Sequence, residues 1–370
     1  MKHECDIILL SYENPELLKK CVESVLDNTR VPSRLIIVDN DSKDEEVKKY
    51  INGIEGRGKI EVEKVFNSAN AGFAGGVNKG LELSTAPFSC ILNNDCEVHD
   101  GWLSEMMGVA SKEERIGLVN PQSNTFGCHD PVSVRDKKGR FIELGHAIGF
   151  ACLIKKVVIE KIGFLDEAYA GVCYEDTDYA CRAQEAGFIS VMAEGAYVYH
   201  KEQASRSGLS GKNEIYRRNR ELFESRWGKL LRMLFLEDSP KEGRIIADYA
   251  VIKETARERV IVDMWMQGER EKAINDAIEE AGIIRHADVG IKIFPSGISP
   301  VAVIAKVLTK KKKYAAILTR NIFIFRILRV FGFLRGTEVF LIKEKSGLSD
   351  RKNVIHMGDI PFLPRKLREI

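Results

Sequence analysis

Short apolar runs rich in β-branched residues alternate with amphipathic stretches from Cys5 onward. Parallel strands need helical crossovers between them, so this alternation predicts a mostly parallel sheet flanked by helices. In the first part of the chain the predicted strands cover residues 6–10, 34–38, 60–66, 89–92, 189–192 and 196–199, and the predicted helices cover residues 14–27, 45–52, 78–84, 102–111, 155–161 and 176–185. The expected fold class is therefore α/β.

A chain of 370 residues is longer than one hydrophobic core usually serves, which predicts more than one domain. All eight cysteines lie between Cys5 and Cys181, and this change in composition also favours a break. We expect a first domain over residues 1–235, a helical linker region over 236–285, and a small α/β domain with a βαβαβ pattern over 286–370. Because the cysteines form no CxxC pair, we expect neither a disulfide framework nor a zinc site.

The overall charge is nearly balanced. The 56 basic and 54 acidic residues give a net charge of +2, which argues against nucleic acid as a partner. The N-terminus lacks the continuous apolar stretch of a signal peptide, and no uninterrupted apolar span reaches about 18 to 20 residues. We therefore expect a cytoplasmic protein, with peripheral attachment at the inner face of the membrane as an open alternative.

One long stretch departs from this balance. Between Val289 and Thr337 there are ten basic residues and no acidic one. Together with apolar residues such as Phe323 and Phe331, they suit a peripheral membrane contact through residues 306–335. The preferred interpretation is that these apolar residues pack a helix onto the small sheet.

Polar side chains follow each of the first four predicted strands. They are Ser11, Tyr12, Glu13 and Asn14 after the first, Asp39, Asn40, Asp41 and Ser42 after the second, residues 67–76 after the third, and Asn93, Asn94 and Asp95 after the fourth. Ligands of open parallel sheets bind outside the carboxyl ends of the strands. We therefore expect these residues to share one site.

Two of these segments suit a nucleotide. Asp39 at a strand end can accept a hydrogen bond from a nucleobase, although a turn or helix-cap carboxylate explains it equally. Residues 70–80 form a Gly-rich turn leading into a helix, where backbone N–H groups can bind a phosphate or a ribose. A tight turn that needs positive φ at Gly72 and Gly75 is the structural alternative.

Asp95 follows a buried strand, where a carboxylate loses its hydration unless it has a partner. A divalent cation shared with two phosphate oxygens would be such a partner, because Mg²⁺ and Mn²⁺ prefer oxygen ligands. The alternative is a surface turn, since Asn-Asn-Asp is also turn chemistry. His200 ends a later strand and could complete the metal shell, although a histidine there is more often structural.

Three carboxylates stand at the start of a predicted helix, at Glu175, Asp176 and Asp178. The helix dipole stabilises negative charge at this end, which is their structural explanation. Their mutual repulsion should also separate their pKa values, so one of them could serve as a general base.

In this order and spacing the motifs resemble those of the family 2 inverting glycosyltransferases. The resemblance covers about residues 4–228 and is carried by residues 11–14, 38–42, 70–78, 92–97, 149–152 and 174–178 and by His200. It is closest to the rhamnosyltransferase-like branch, in which Asn-Asn-Asp stands in place of Asp-x-Asp. Two departures are the Ser-Tyr-Glu-Asn segment at 11–14, where many relatives carry Thr-Tyr-Asn, and Cys96, where threonine is common.

The resemblance implies a GT-A fold, a nucleotide-diphospho-sugar donor and a metal cofactor, Mg²⁺ or Mn²⁺. It implies that Asp95 binds the metal with His200 as a second ligand, that Asp176 is the catalytic base, and that Glu175 supports it. The implied donor-binding residues are Ser11, Tyr12, Glu13, Asp39, Asn40, Asn70, Gly72, Phe73, Ala74, Asn78, Asn93 and Asn94. Arg217, Arg218 and Arg220 could balance diphosphate charge, or they could form a solvated basic helix face.

The activity expected from this resemblance is inverting, metal-assisted transfer of a hexosyl or deoxyhexosyl group to an acceptor hydroxyl. The acceptor would be a saccharide, a lipid-linked molecule or a protein, in polysaccharide or glycoconjugate synthesis. The alternative is a scaffold or sensor that binds a nucleotide-sugar without turnover. Residues 240–370 resemble no family that we recognise.

Overall fold

The computed structural model describes residues 2–127, 131–169, 171, 173–201, 212–237, 242–268, 271–295, 298–311, 313–333, 336–343 and 353–368. The chain divides into two compact units, Met1–Trp227 and Gly228–Ile370. Among the described residues, no helix combines the length and the apolar character needed to cross a membrane.

The first unit is built on a nine-stranded sheet with helices packed against it. Its strands are β1 (Cys5–Ser11), β2 (Ser33–Asp39), β3 (Ile60–Phe66), β4 (Phe88–Asn93), β5 (Cys96–Val98), β6 (Ile116–Gln122), β7 (Phe141–Leu144), β8 (Ala151–Lys155) and β9 (Ile189–His200). Its helices are α1 (Pro15–Asn28), α2 (Glu45–Gly53), α3 (Gly72–Leu83), α4 (Trp102–Ala110), α5 (Lys156–Ile162), α6 (Glu175–Glu185) and α7 (Lys212–Trp227), with a short 3-10 helix at Arg135–Lys137.

The strand order is β3-β2-β1-β4-β8-β6-β9-β5, with β7 paired to β9. The strands β3, β2, β1 and β4 are parallel, whereas β8 runs antiparallel to both β4 and β6. The predicted α/β fold with a mostly parallel sheet is therefore confirmed. Buried apolar runs lie in β1, β2 and β4, as expected for strands covered by helices on both faces, whereas in β3 only Ile60 is buried.

The register of the parallel strands brings their polar ends together. Ser11 pairs with Asp39, Leu10 pairs with Asn93, and Asp39 pairs with Phe66. The residues that follow β1, β2 and β4 therefore lie along one edge of the sheet, where the sequence predicted a shared site.

Glycines let helix α3 lie unusually close to β1. A Cβ atom at Gly76 would lie 2.4 Å from Leu10 Cδ1, and one at Gly80 would lie 2.3 Å from Ile8 Cγ2. Gly72 has the positive φ that the sequence predicted, at 73°. The same prediction for Gly75 was wrong, because Gly75 lies inside the helix, where a Cβ would contact the Cβ of Ala71 at 2.9 Å.

The second unit is a parallel sheet of six strands. The strands are β10 (Leu231–Glu237), β11 (Val260–Gln267), β12 (Val289–Phe294), β13 (Ala316–Thr319), β14 (Glu338–Lys343) and β15 (Val354–His356). The helices are α8 (Glu242–Arg257), α9 (Glu271–Glu280), α10 (Pro300–Thr309), α11 (Ile322–Phe333) and α12 (Leu363–Arg368), with a 3-10 helix at Met357–Phe362. The order β12-β11-β10-β13-β14-β15 is the doubly wound order of Rossmann-type sheets.

The helical linker expected over residues 236–285 was only partly right, because this region also contains strand β11 and the end of β10. Both strands are short and carry charged residues, Arg232 in β10 and Asp263 in β11. Apolar runs of this length cannot be assigned to helix or strand by periodicity alone. The predicted βαβαβ pattern covers β12, β13 and β14, which belong to a larger sheet in which β10 and β11 are interior strands.

The close packing of α3 on β1 can be tested with Gly80→Ala. The new methyl group would clash with the β-branched, fully buried Ile8, so we expect a loss of about 1 to 3 kcal/mol in the free energy of unfolding. The matched control is Gly108→Ala in α4, where a Cβ meets nothing within 4 Å. Removing a helical glycine there should stabilise by about 0.5 to 1 kcal/mol. Urea denaturation measures both, and equal effects would contradict the proposed packing.

Candidate active site

Three buried oxygen atoms mark the carboxyl edge of the parallel strands. They are Ser11 Oγ, Asp39 Oδ1 and Asn93 Oδ1, and none has a hydrogen-bond partner in the described part of the chain. The other carboxylate oxygen of Asp39 accepts a bond from the Ser42 backbone N–H at 3.3 Å. A buried polar atom without a partner costs about 1 to 3 kcal/mol, so these atoms are suited to binding a polar ligand.

Asn40 organises the Gly-rich turn that follows β3. Its Nδ2 donates to Asn70 Oδ1 at 3.1 Å and to the Gly72 carbonyl at 3.0 Å. Its Oδ1 accepts from Asn67 Nδ2 and from the Ala71 backbone N–H, both at 3.0 Å. Asn40 was predicted to contact the donor, but the geometry makes it the residue that shapes the turn.

Asn70 and Gly72 also belong to this turn. The Gly72 N–H donates to Asn70 Oδ1 at 2.8 Å, and Asn70 is exposed. The turn ends on α3, and the first N–H groups there already have partners, because Ala71 donates to Asn40 and Phe73 donates to the Gly171 carbonyl at 3.4 Å. The predicted contact of this turn with phosphate or ribose stays a prediction.

Asn78, Glu13 and Ala74 were also predicted to contact the donor, and each has another role. Asn78 is buried, and its amide donates to the Leu165 carbonyl at 3.0 Å and to Glu167 Oε1 at 2.9 Å, which ties a later loop to α3. The Glu13 carboxylate accepts the backbone N–H groups of residues 43 and 44 at 2.8 and 3.1 Å. Ala74 is a buried core residue beside Phe73.

Tyr12 and Phe73 remain accessible to a ligand. Tyr12 is 46% exposed directly after β1. Phe73 is half-buried, and its ring tip would lie 3.6 Å from a Cβ at Gly149. Both aromatic side chains therefore stand at the edge of the candidate site.

Asp95 and His200 form a buried acid and imidazole pair. The Asp95 side chain is 1% exposed, and its Oδ1 lies 3.3 Å from His200 Nε2. The pairing of β5 with β9 sets Cys96 opposite His200. Asn124 holds the His200 backbone, accepting its N–H at 2.8 Å and donating to its carbonyl at 3.0 Å. The two predicted metal ligands therefore lie together.

A thiol also lies close to this pair. The ligand atoms of Asp95, Cys96 and His200 all lie within 4.8 Å of one another. Burial raises the pKa of the Cys96 thiol well above its ordinary value, and the neighbouring Cys21 and Asp95 raise it further. Its Sγ donates to the Phe150 carbonyl at 3.5 Å. Thiolates suit softer cations than Mg²⁺ or Mn²⁺, so the donors for these cations would be the Asp95 carboxylate and the His200 imidazole.

Asn93 and Asn94 flank this site. The Asn93 backbone N–H donates to the Phe150 carbonyl at 2.9 Å. Asn93 is the last residue of β4, so its side chain lies at the strand end. Asn94 is buried in the turn that presents Asp95. Their predicted contact with the sugar or ribose stays a prediction.

Asp176 lies at the start of α6 and is held in a defined orientation. Its Oδ2 accepts the Gly149 backbone N–H at 2.8 Å, and its Oδ1 accepts the Thr177 backbone N–H at 2.7 Å. It is half-buried, whereas the adjacent Glu175 is buried. Asp176 is therefore the more accessible of these two carboxylates.

Asp178, the third carboxylate of this segment, has a structural role. Its oxygens accept bonds from Tyr169 Oη at 3.2 Å, Trp227 Nε1 at 2.9 Å and Arg182 Nε at 2.9 Å. Asp178 is fully buried and joins α6 to α7. Of the three predicted acids, only Glu175 and Asp176 remain for the site.

Gly149 and Phe150 join Asp176 to the pair formed by Asp95 and His200. Gly149 binds Asp176, and the ring of Phe150 stacks on His200 with a centroid distance of 4.9 Å and an interplanar angle of 12°. Consecutive Cα atoms are about 3.8 Å apart, so one dipeptide contacts both halves of the site. Asn120 anchors this segment, donating to the Ile148 carbonyl at 2.7 Å and to the Ala151 carbonyl at 2.6 Å.

The loop before Glu175 has a strained backbone. Gly171, Cys173 and Tyr174 all have positive φ, at 87°, 82° and 78°. Such angles cost about 1 to 3 kcal/mol in residues other than glycine and occur mostly at functional sites. Asn219 of α7 is fully buried and donates to the Cys173 carbonyl at 3.1 Å, which holds the loop in place.

The arginines of α7 mostly contact the protein itself. Arg218 donates to the Ala168 carbonyl at 3.3 Å, and Arg220 pairs with Glu224 at 2.8 Å. Arg217 is exposed. The interpretation as a solvated helix face therefore suits Arg220 and Arg217 better than a diphosphate site.

Sequence reasoning missed three asparagines that hold the site, Asn120, Asn124 and Asn219. Asn120 is a polar residue within an otherwise apolar strand, and this was the signal that could have found it. The other two lie in a loop and on a charged helix, where an asparagine is unremarkable.

Comparison with known proteins gives a family match in the first part of the chain. The family model described as "Glycosyl transferase family 2" matches residues 6–163. A curated relative from Sinorhizobium fredii, described as "Uncharacterized protein y4gI", is 26% identical over an alignment of 247 residues, and the match covers 60% of this chain. The chain spans about a quarter of that relative's length, 27%.

Several solved structures are similar at 14% identity. The mannosyltransferase PcManGT from Pyrobaculum calidifontis, solved with GDP-Man and Mn²⁺, has a TM-score of 0.45, with 56% of this chain and 60% of that chain covered. GalNAc-T7, solved with UDP, GalNAc and Mn²⁺, has a TM-score of 0.47, with 76% and 55% covered. S. aureus TarS, solved over residues 1–349, has a TM-score of 0.45, with 61% and 65% covered.

The family match places residues 6–163 of the first unit among sequences similar to glycosyl transferase family 2. The finer assignment to a rhamnosyltransferase-like branch stays a prediction.

The anchoring role of Asn120 can be tested with Asn120→Ala. Three buried backbone groups would lose their partner, so we expect a loss of about 2 to 3 kcal/mol in the free energy of unfolding. Hydrogen exchange of residues 148–151 should also become faster. The matched control is Asn28→Ala, whose amide binds the carbonyls of Ser24 and Val98 away from the site. Unchanged exchange at 148–151 in Asn120→Ala would remove Asn120 from this role.

Proposed function

We propose that this protein is an inverting glycosyltransferase that moves a hexosyl or deoxyhexosyl group from a nucleotide-diphospho-sugar to an acceptor hydroxyl. The observation that carries the proposal is the Gly149-Phe150 dipeptide, which contacts Asp176 on one side and His200, beside Asp95, on the other. A transferase of this kind needs a base near the acceptor and a cation site near the diphosphate. We assign the activity to polysaccharide or glycoconjugate synthesis.

The donor would lie along the carboxyl edge of β1, β2 and β4. Asp39 Oδ1 would accept a hydrogen bond from the nucleobase, with Ser11 and Asn93 offering further buried oxygens. The exposed Asn70, on the turn held by Asn40, would contact the ribose or a phosphate. Tyr12, being exposed, would cover the base.

A divalent cation fits Asp95 and His200. The Asp95 carboxylate is buried beside an imidazole, and Cys96 Sγ lies 3.5 Å from the Phe150 carbonyl oxygen. One carboxylate oxygen and one imidazole nitrogen favour Mn²⁺ over Mg²⁺, because Mg²⁺ strongly prefers oxygen ligands. When bound, the cation would neutralise charge on the departing nucleoside diphosphate.

Asp176 would act as the base in a single displacement. The acceptor hydroxyl gives its proton to the Asp176 carboxylate as its oxygen forms a bond to the anomeric carbon. The bond from that carbon to the diphosphate oxygen breaks on the opposite face, so the configuration inverts. The Gly149 and Thr177 N–H groups fix the orientation of the carboxylate before the acceptor arrives. A non-catalytic scaffold would have no need for this oriented base.

The base role predicts the behaviour of Asp176→Asn. The amide keeps the shape of the carboxylate but cannot accept the proton, so kcat should fall by about 10² to 10⁴. Donor affinity should change by less than about twofold. A thermal-shift screen of nucleotide-sugars with Mn²⁺ first identifies the donor, and release of nucleoside diphosphate then measures turnover. Asp100→Asn, at an exposed position, is the matched control. Full turnover by Asp176→Asn would exclude it as the base.

The metal assignment predicts a graded effect on Mn²⁺-dependent binding of nucleoside diphosphate. Asp95→Ala removes the carboxylate and should weaken this binding by about 100-fold, and His200→Ala should weaken it by about 10-fold. Cys96→Ala is the matched control within the same cluster and should stay within about twofold of the natural protein. Calorimetry with and without Mn²⁺ measures all three. Unchanged affinity in Asp95→Ala, or a large loss in Cys96→Ala, would contradict the donor set.

A further inference from the structure

Helices α10 and α11 form one layer on one face of the second sheet. They pack side by side, and Val303, Val307, Ile324 and Leu328 point inward against Trp265 and the rest of the sheet core. The other face of the sheet is covered by α8, α9 and α12, whose buried residues belong to a separate cluster. The outward side of α10 and α11 is therefore a distinct surface of this unit.

This outward side exposes large apolar side chains. Val330 is 67% exposed, Val301 is 61% exposed, and Ile322 and Phe323 are 50% and 48% exposed. On α11, Ile322, Phe323 and Val330 are separated by the three- and four-residue steps of a helix from the exposed Arg326 and Arg329. Apolar and cationic side chains therefore share one stripe of this helix. We call Val301, Ile322, Phe323, Arg326, Arg329 and Val330 the α10–α11 face.

The charge around this face has a single sign. The sequence from Gly290 to Gly336 contains no acidic residue, and Lys306, Lys311 and Lys313 are exposed near the two helices. The other face of the sheet differs, because α9 alone carries four acidic residues, Glu271, Asp276, Glu279 and Glu280. Helix α12 on that face carries Arg365, Lys366 and Arg368, so the other face has charges of both signs, whereas the sequence of α10 and α11 has no acidic residue.

We propose that the α10–α11 face docks on an anionic lipid bilayer surface. Exposed apolar side chains beside arginines, without acidic neighbours, suit the boundary between acyl chains and anionic headgroups. The charge complementarity favours a lipid surface over a second copy of this chain, because two such faces would repel each other. The proposal does not depend on glycosyl transfer.

The cations near this face differ in the contacts that they already make within the protein. Lys310 lies between Asp263 Oδ2 at 3.4 Å and the Tyr314 hydroxyl at 2.9 Å, and it stands 4.4 Å from the Trp265 ring centroid. Neutralising it would disturb internal contacts, and Lys312 lies outside the described residues. Arg326 and Arg329 are exposed on the docking stripe and are the better probes.

The test is sedimentation of the full chain with sucrose-loaded vesicles, in the absence of any nucleotide-sugar. We expect binding to phosphatidylcholine vesicles that contain phosphatidylglycerol, little binding to phosphatidylcholine alone, and weakening as salt rises. The Arg326→Gln/Arg329→Gln variant should bind about 30-fold more weakly, at about fivefold for each arginine. Phe323→Ser/Val330→Ser should also bind more weakly, even at low salt.

The matched control is Lys272→Gln/Lys366→Gln, which removes the same charge from exposed positions on α9 and α12. It should sediment like the natural protein, and circular dichroism should show all variants folded. Equal loss of binding in the control and the arginine variant would overturn the proposal. A second result would also overturn the proposal. In it, the natural protein binds no vesicles but self-associates in analytical ultracentrifugation, and Phe323→Ser/Val330→Ser abolishes this self-association. That result would identify a second copy of the chain as the occupant of the face.

Discussion

The candidate site depends on the pairing of β4 with β8. These strands run antiparallel, and the hydrogen bond from the Asn93 N–H to the Phe150 carbonyl extends their ladder by one residue at the edge. That bond fixes Phe150 beside the turn that carries Asp95. Since the Phe150 ring stacks on His200 and the Gly149 N–H binds Asp176, the remaining elements of the site take their positions from this contact.

The polar residues at the sheet edge divide into two groups. Asn40, Asn78 and Glu13 direct their polar atoms into the protein, where they shape the turn after β3, the loop after α5 and the turn after β2. Ser11 and Asp39 keep a buried oxygen without a partner among the described residues. A site can present such oxygens to a ligand only if neighbouring residues hold the backbone rigid, because each unmatched oxygen costs free energy until a ligand binds.

The second unit shows how sheet topology can create a surface that the sequence only suggests. The acid-free stretch was visible in the sequence, but a basic, apolar helix can also be buried against a sheet. Both occur here. Ile324 and Leu328 are buried in the core, whereas Ile322, Phe323 and Val330 lie outside with Arg326 and Arg329. The doubly wound order places α10 and α11 on the same side of the sheet, so their outward residues combine into one face.

The sequence by itself determined the α/β class and the placement of residues such as Asp39 and Asn93 at the carboxyl edge of the sheet, because strand periodicity and parallel topology are local and repetitive signals. It also indicated Asp176 and His200 through their place in an ordered set of motifs. Only the tertiary structure showed which asparagines hold the site and which could face a ligand. It also showed that β10 and β11 are strands. Hydrogen bonds such as those of Asn120 and Asn219 join residues distant in the chain, and no pattern of neighbouring residues encodes them. Short apolar runs become strands only when a sheet is present to pair with them, which is why β11 was recognised from the fold and not from its sequence.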